Sequence, residues 1–285
     1  MTPPKGSALP SEEHALVLEV ILHLLLKCDI LFLGEVGSAN LKWLSDRLSG
    51  TPFAIKDMTK SESGSKFGLC VLYKEDNARF IGNEFNISKI GGDNYKISCR
   101  TDFVLYEEEY FSFLVSHWPS RLGKPEDAEI RSHYGATLRR EVERLQSSGV
   151  KYLILLGDFN DEPFNRSMTK FLRGCRDADF VKSHPDLLYN PFWKNLVSPK
   201  GYVQAIGASD PSGTYYYVSD NLHKWRVFDQ MLFGSSFVGR SAWHLNEAET
   251  GVFRYGRLID AVKSSVSRLD HLPIVAEVYK DMTNG

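Results

Sequence analysis

Five apolar residues in a row, Tyr152-Leu153-Ile154-Leu155-Leu156, run straight into Gly157-Asp158-Phe159-Asn160 and then Asp161-Glu162-Pro163. No other stretch constrains the fold of this chain as strongly. A short, uninterrupted apolar run bounded by a turn residue reads as a strand buried on both faces. Gly157 lets the backbone turn at the strand end, and Pro163 keeps the strand from continuing. Asp158 and Asn160 are two apart, so an extended chain points both side chains one way and Phe159 the other. A carboxylate and an amide delivered together off a buried strand can hold a water or a metal ion. The same residue types also make ordinary turns, and taken alone the stretch leaves both readings open.

Other strand ends repeat the arrangement. The apolar segment 28–33 stops at Gly34-Glu35-Val36, where a glutamate is costly unless it is paired, bound to metal or facing solvent. Strand 111–115 ends at Ser116-His117-Trp118-Pro119, and strand 225–233 carries Asp229 embedded within it. Near the end, Arg268-Leu269-Asp270-His271-Leu272-Pro273 precedes a last strand over 274–279. A lone histidine or carboxylate is more often structural than functional. Here two histidines, four carboxylates and an amide fall almost entirely at strand ends beside Gly or Pro.

The remaining pattern supplies the scaffold. Residues 1–10, with three prolines, read as a flexible lead-in. Ser11 can cap a helix whose first turn holds Glu12 and Glu13, and helical spacing continues through Leu26. A short amphipathic helix covers 40–48, and strands follow at 67–73, 79–85, 96–106 and 110–116, with Glu107-Glu108-Glu109 as a solvated hairpin loop. A second long helix spans 125–147, with Ala128, Ile130, Tyr134, Leu138, Val142 and Leu145 on its apolar side. Residues 165–224 read as irregular and aromatic, with Asn190-Pro191-Phe192-Trp193 and Gly213-Thr214-Tyr215-Tyr216-Tyr217 able to offer stacking faces or simply to pack. Residues 240–257 read as a loop. Strands with only two clear long helices between them imply an α/β (α+β) sandwich, two packed mixed sheets with outer helices.

Composition narrows the functional classes. With 285 residues, 42% hydrophobic, the chain can bury a large core, and without repeat, linker or composition break one domain over 11–285 is the economical reading. Charged residues at 25% exclude a disordered chain, and a net charge of -2 means that any field attracting nucleic acid is local. Four scattered cysteines without a CxxC pair read as reduced thiols. The apolar stretch 16–26 contains Glu19 and His23, is too short to span a bilayer and lacks the features of a signal peptide. The expected setting is soluble and cytoplasmic, without membrane insertion.

Leu33-Gly34-Glu35-Val36, Ser116-His117-Trp118-Pro119, Gly157-Asp158-Phe159-Asn160-Asp161, Phe228-Asp229-Gln230 and Asp270-His271-Leu272-Pro273 together resemble the endonuclease/exonuclease/phosphatase superfamily. The pieces occur in that family's order and cover residues 11–280. The resemblance implies a four-layer α/β sandwich and hydrolysis of a phosphoester with a divalent ion, usually magnesium (Mg2+), with manganese (Mn2+) as the alternative. On it, Glu35 is the main metal ligand with Asp270 nearby. Asp158 and Asn160 orient or deprotonate the attacking water, or hold a second ion. Asp229 fixes the tautomer of His271, and His271 and His117 donate to the phosphate.

The leading functional expectation is a metal-dependent nuclease or phosphodiesterase with nucleic acid as substrate. A phosphatase for a small or lipid phosphate is the first alternative. Inositol-phosphate members usually continue with Tyr-Arg and carry a Trp-Cys-Asp-Arg-like segment, where this chain has Asp161-Glu162 and Phe228-Asp229-Gln230. A weakened, mainly binding member is the second alternative, because the family's opening strand and its asparagine have no counterpart in residues 1–10. Leu269 stands where a serine is common. A partner chain, residues 1–10 or an upstream segment is expected to cover the sheet edge left by that strand.

Overall fold

The structure is a computed structural model and describes residues 11–59, 68–90, 92–106, 109–200 and 210–281. Its first half contains α1 (Ser11–Leu25), β1 (Ile30–Gly34), α2 (Ser38–Leu48), β2 (Phe53–Asp57) and β3 (Leu69–Lys74). A long hairpin follows, β4 (Ala78–Ile90) and β5 (Asp93–Leu105), then β6 (Glu109–His117), α3 (Glu129–Ser147) and β7 (Tyr152–Asp158). Short elements come next: β8 (Gly174–Cys175), α4 (Ala178–Ser183), β9 (Leu188–Tyr189), β10 (Tyr215–Tyr216) and β11 (Trp225–Arg226). The chain continues through β12 (Asp229–Gly234), β13 (Trp243–Val252), α5 (Gly256–Lys263) and β14 (Ile274–Lys280).

β7 sits in the middle of a seven-stranded mixed sheet, order β4-β5-β6-β7-β12-β9-β8, parallel to β6 and antiparallel to β12. Its apolar run is continuous because both faces are covered. Tyr152, Ile154 and Leu156 enter the core between the sheets with Phe111, Phe113 and Phe233. Leu153 and Leu155 pack toward Leu138, Val142 and Leu145 of α3. A leucine or phenylalanine buried this fully contributes about 1.5–3 kcal/mol, so the alternation pins the strand in place.

The second sheet layer comprises the antiparallel sheet β1-β3-β2 and the antiparallel pair β13-β14. Leu44 and Leu48 of α2, with Ile21 and Leu25 of α1, cover Cys70 and Leu72 of β3. Leu16, Val20 and Leu24 of α1 pack with Leu258 and Val262 of α5 over Val252 and Leu272. Helix, sheet, sheet, helix: this is the four-layer α/β sandwich that the sequence implies. Among the described residues, no strand pairs with the outer edge of β1 or of β14. Residues 1–10, expected to be a flexible lead-in, and Glu107 and Glu108 of the acidic loop lie outside the described residues.

Three sequence expectations need correction. Residues 240–257 are not a loop: β13 and the start of α5 occupy them. The strand escaped notice because Glu247, Ala248 and Glu249 interrupt its apolar pattern where its pairing with β14 shifts register. β2, five residues with Lys56 and Asp57 exposed, was also missed. Asp229 is not embedded in a strand but begins one, since β11 stops at Arg226 and the Phe228 carbonyl accepts the Phe159 N–H at 2.9 Å.

Gly157 shows how tightly the strand ends approach. At φ +131°, an added Cβ would lie 1.9 Å from the Ser116 carbonyl oxygen of the neighbouring strand. Gly157→Ala is therefore expected to destabilise the fold by about 1–3 kcal/mol in urea unfolding. Unchanged stability would mean that β6 and β7 can separate at this end.

Candidate active site

The central strands bring reactive side chains together through register. His117 at the end of β6 and Asp229 at the start of β12 are both Cα partners of Asp158 at the end of β7. Three consecutive strands thus place His117, Asp158 and Asp229 in one row. Glu35 arrives from the end of β1 in the other layer, and His117 Nε2 lies 3.6 Å from Glu35 Oε1 and 3.7 Å from Asp158 Oδ2. The Glu35 backbone has φ 58°, a region costly for a glutamate. The next amide, Val36 N–H, donates to the Gly68 carbonyl at 3.2 Å and secures that turn.

His271 and Asp270 come from the segment before β14. His271 forms an isolated bridge with Tyr215, and the Asp270 carbonyl accepts the Tyr216 N–H at 2.9 Å. His271 Nδ1 is 2.7 Å from Asp229 Oδ2, the pairing expected from the sequence. Glu35, His117, Asp158, Asp229, Asp270 and His271 all line one cavity of about 1070 Å³. Asn160 stands behind this wall, 7% exposed. Its φ of 50° corrects the expectation of an extended chain through Asp158 and Asn160. The two still meet, because Asn160 Nδ2 donates to Asp158 Oδ2 at 2.7 Å and to the Trp118 carbonyl at 3.0 Å. Its backbone N–H donates to Asp158 Oδ1 at 2.8 Å.

The two histidines sit in opposite electrostatic surroundings. Burial pushes His117 down to about 4, overriding the Glu35 carboxylate, so its ring is neutral at pH 7. Burial also works against the charged form of His271, but the Asp229 carboxylate and its hydrogen bond, with Asp158 and Asp270, outweigh it. The result is pushed up to about 10, and this ring is an imidazolium. The Asp158 carboxyl is raised by burial and further by Asp229 and Glu35, while His271 and the Asn160 N–H oppose the rise. Asp270 is likewise raised by burial, with Glu35 adding to it and His271 opposing.

Carboxylates that raise one another across a cavity form a donor set suited to a hard cation. Among the described residues, no three His, Cys, Asp or Glu side chains converge closely enough to cage a metal by themselves. Magnesium does not need such a cage: it keeps several waters and takes one or two carboxylates plus substrate oxygens. Glu35 and Asp270 fit that demand.

Several supporting residues were given no role in the sequence reading, although Asp161 and Gln230 lie within its motifs. Thr214 is fully buried, and its hydroxyl accepts the N–H groups of Phe228 at 3.1 Å and Asp229 at 2.9 Å. Asp161, 1% exposed, pairs with Arg131 at 3.2 Å and Arg121 at 3.4 Å and accepts the Ser167 hydroxyl. Arg121 Nε in turn donates to the Asn160 carbonyl at 2.9 Å, locking the turn that carries the motif. Gln230 Nε2 donates to the Asp161 carbonyl at 2.6 Å and its Oε1 accepts from Asn190 at 2.8 Å. The one sequence signal for this layer was a run of charged and amide residues directly after the Gly-Asp-Phe-Asn stretch.

The comparisons with known proteins agree with this architecture. The family model described as Endonuclease/Exonuclease/phosphatase family matches residues 57–264. The catalytic domain of human Nocturnin with bound sulfate is similar at 20% identity and TM-score 0.61, over 96% of this chain and 89% of that one. A mannosyl-6-phosphatase from Bacteroides thetaiotaomicron aligns at 15% identity and TM-score 0.61, covering 94% of this chain and 91% of that one. TDP2 from D. rerio, complexed with a single-strand DNA product, aligns at 13% identity and TM-score 0.57, over 97% and 94% of the two chains. No curated protein matches the sequence.

The ring of His271 offers a direct check of the electrostatics. A histidine whose midpoint rises from 6.5 to about 10 on folding stabilises the fold below the unfolded-state midpoint. That contribution is lost as pH climbs through the folded one. In the metal-free protein, NMR titration is expected to place the His271 midpoint well above that of free histidine and to bring it down in Asp229→Asn. Identical midpoints in the two proteins would remove the pairing from the account.

Proposed function

The chain belongs to the Endonuclease/Exonuclease/phosphatase family, whose members are hydrolytic phosphoesterases that generally use divalent metals, and from that premise we propose that it hydrolyses phosphodiesters in nucleic acid. Magnesium is the proposed ion, with manganese as a substitute, held by Glu35 and Asp270. When bound, it supplies Lewis acidity toward the phosphoryl oxygens and the leaving oxygen. Asp158, its carboxyl raised by burial and fixed by both N–H donors of Asn160, accepts the proton of the attacking water. His271, held through Nδ1 by Asp229, presents Nε2 as a charged donor to the phosphate as negative charge builds on it. His117, neutral, contributes one ring N–H to the same oxygens.

The observation that carries a diester over a monoester is how the nearby cations are engaged. Arg121 pairs with Glu126 at 2.8 Å and with Asp161, Arg131 pairs with Asp161, and Arg226 pairs with Glu162 at 3.2 Å and Asp220 at 2.6 Å. These guanidinium groups are committed to carboxylates, and the cavity wall carries seven acidic side chains against three basic ones, Lys27, Lys194 and Arg254. A phosphomonoester brings about 1.5 to 2 negative charges at pH 7, whereas each diester linkage brings one. The acidic balance of the wall suits the smaller charge.

Magnesium-dependent turnover measured side by side on plasmid, single strands, inositol phosphates and a sugar monophosphate tests this reading. Cleavage of the polynucleotides is expected. Turnover of the monoesters alone would replace it with a phosphatase, and binding without turnover would leave a non-catalytic member. Glu35→Gln keeps the size of the side chain and removes its charge. It is expected to lower magnesium affinity and to cut turnover at least about 100-fold with the fold intact. Unchanged magnesium binding by calorimetry would take Glu35 out of the metal site.

A further inference from the structure

Asp229 and His271 reach each other from two segments, 225–229 and 270–272, that share no backbone hydrogen bond among the described residues. Between them runs the chain from Thr214 to Tyr216. On one side Tyr215 and Tyr216 pair with Arg226 and Trp225 in the β10–β11 ladder. On the other, Tyr215 bridges His271, and the Tyr216 N–H donates to the Asp270 carbonyl at 2.9 Å. Thr214 holds both ends of the pair at once. Its carbonyl accepts the Leu272 N–H at 2.6 Å, one residue past His271, and its own N–H donates to the Arg226 carbonyl at 2.7 Å. Its hydroxyl accepts the N–H groups of Phe228 at 3.1 Å and Asp229 at 2.9 Å and donates to the Arg226 carbonyl at 3.4 Å. One donor and two acceptor lone pairs are all that a hydroxyl has, so this one is saturated.

A side chain that only filled this space would do so at less cost as valine, because a buried hydroxyl is unfavourable unless its bonds are made. Thr214 is wholly buried, so its hydroxyl does not meet a substrate either. What its bonds do is fix where Asp229 starts its strand relative to His271. Gly213 serves the same approach: a Cβ there would lie 2.5 Å from the Arg226 carbonyl oxygen, so only a residue without a side chain lets the two backbones close. The outcome is the 2.7 Å contact between His271 Nδ1 and Asp229 Oδ2. We propose that Thr214 is a positioning residue, whose hydroxyl and carbonyl together set the distance and angle at which the Asp229 carboxylate meets the His271 ring. The proposal rests on the phosphodiester reading for its effect on turnover, whereas the geometry of the pair is independent of any substrate. A ring that turns aims Nε2 away from the reacting phosphate, and a misplacement of about 1 Å can cost about 100-fold in rate. Contacts that hold the rest of the substrate survive, so the loss falls on kcat rather than on KM.

Thr214→Val keeps the shape and removes the hydroxyl, while Thr214→Ser keeps the hydroxyl. For each, kcat and KM are measured on the p-nitrophenyl ester of thymidine monophosphate. Thr214→Val is expected to lower kcat at least about tenfold with KM within about twofold, and Thr214→Ser to recover it. In the Asp229→Asn background, Thr214→Val is expected to add less than about twofold, because the pair it serves is already broken. A readout independent of turnover is the NMR signal of the proton that His271 Nδ1 shares with Asp229, assigned by its loss in Asp229→Asn. That signal is expected to move in Thr214→Val and to stay in place in Thr214→Ser. An unmoved signal, additive losses in the double variant, or KM rising as much as kcat falls would leave Thr214 a structural residue and overturn the proposal. If Thr214→Val does not fold, Thr214→Cys takes its place under the same outcomes, since a thiol fills the space but accepts only weakly. A moved signal in a protein whose wild type does not turn over the ester would sustain the positioning role and sink the phosphodiester reading. Turnover by the wild type with an unmoved signal in Thr214→Val would do the reverse.

Discussion

Everything chemical in this protein depends on the register of three adjacent strands. Because β6, β7 and β12 pair with His117 and Asp229 both opposite Asp158, a neutral imidazole, a carboxyl and a carboxylate share one edge of the sheet. Side chains alternate along a strand, so a slip of one residue would turn Asp158 to the other face of the sheet and drive a core leucine toward the cavity. The buried aromatic and aliphatic rows on both faces of β7 make that slip prohibitive. Core packing and site assembly are thus one constraint, and Gly157 is where they meet, since any Cβ there would collide with the neighbouring strand.

Around that row the protein spends much of its polar inventory on orientation. Asp229 is held by its own backbone N–H on Thr214, and in turn it holds His271. Asn160 holds Asp158, Arg121 holds Asn160, and Asp161 holds Arg121. Such a chain leaves few rotamers open at the proposed reacting groups, which is what preorganised electrostatic stabilisation requires. It also engages the guanidinium groups of Arg121, Arg131 and Arg226 with carboxylates, while the cavity wall keeps an acidic balance suited to a cation.

Much of the site was legible because strand ends announce themselves. An apolar run that stops at Gly or Pro fixes where the strand leaves the core, and the next polar residue is at the edge by construction. The strand-end positions of Glu35, His117 and Asp158 follow from that rule, whereas their roles, like those of Asp270 and His271, came from the family resemblance. The hidden part has physical reasons as well. β13 carries Glu247, Ala248 and Glu249 through a register shift, so its alternation fails where it should have been read. Thr214 is a single hydroxyl inside an aromatic run, and nothing local distinguishes a threonine that holds two backbone amides from one that fills space. Asn160 was placed beside Asp158 for the wrong reason, since extended geometry was expected and a left-handed turn brings the two together.

In the proposed function, this strand-end row hydrolyses a phosphoester by water attack at phosphorus. Turnover in water labelled with heavy oxygen, read by phosphorus NMR and by mass analysis of the released alcohol, tests it most directly. One labelled oxygen is expected in the phosphate-bearing product for each turnover, and none in the alcohol. Label in the alcohol, or a phosphate-bearing product formed without label, would contradict it.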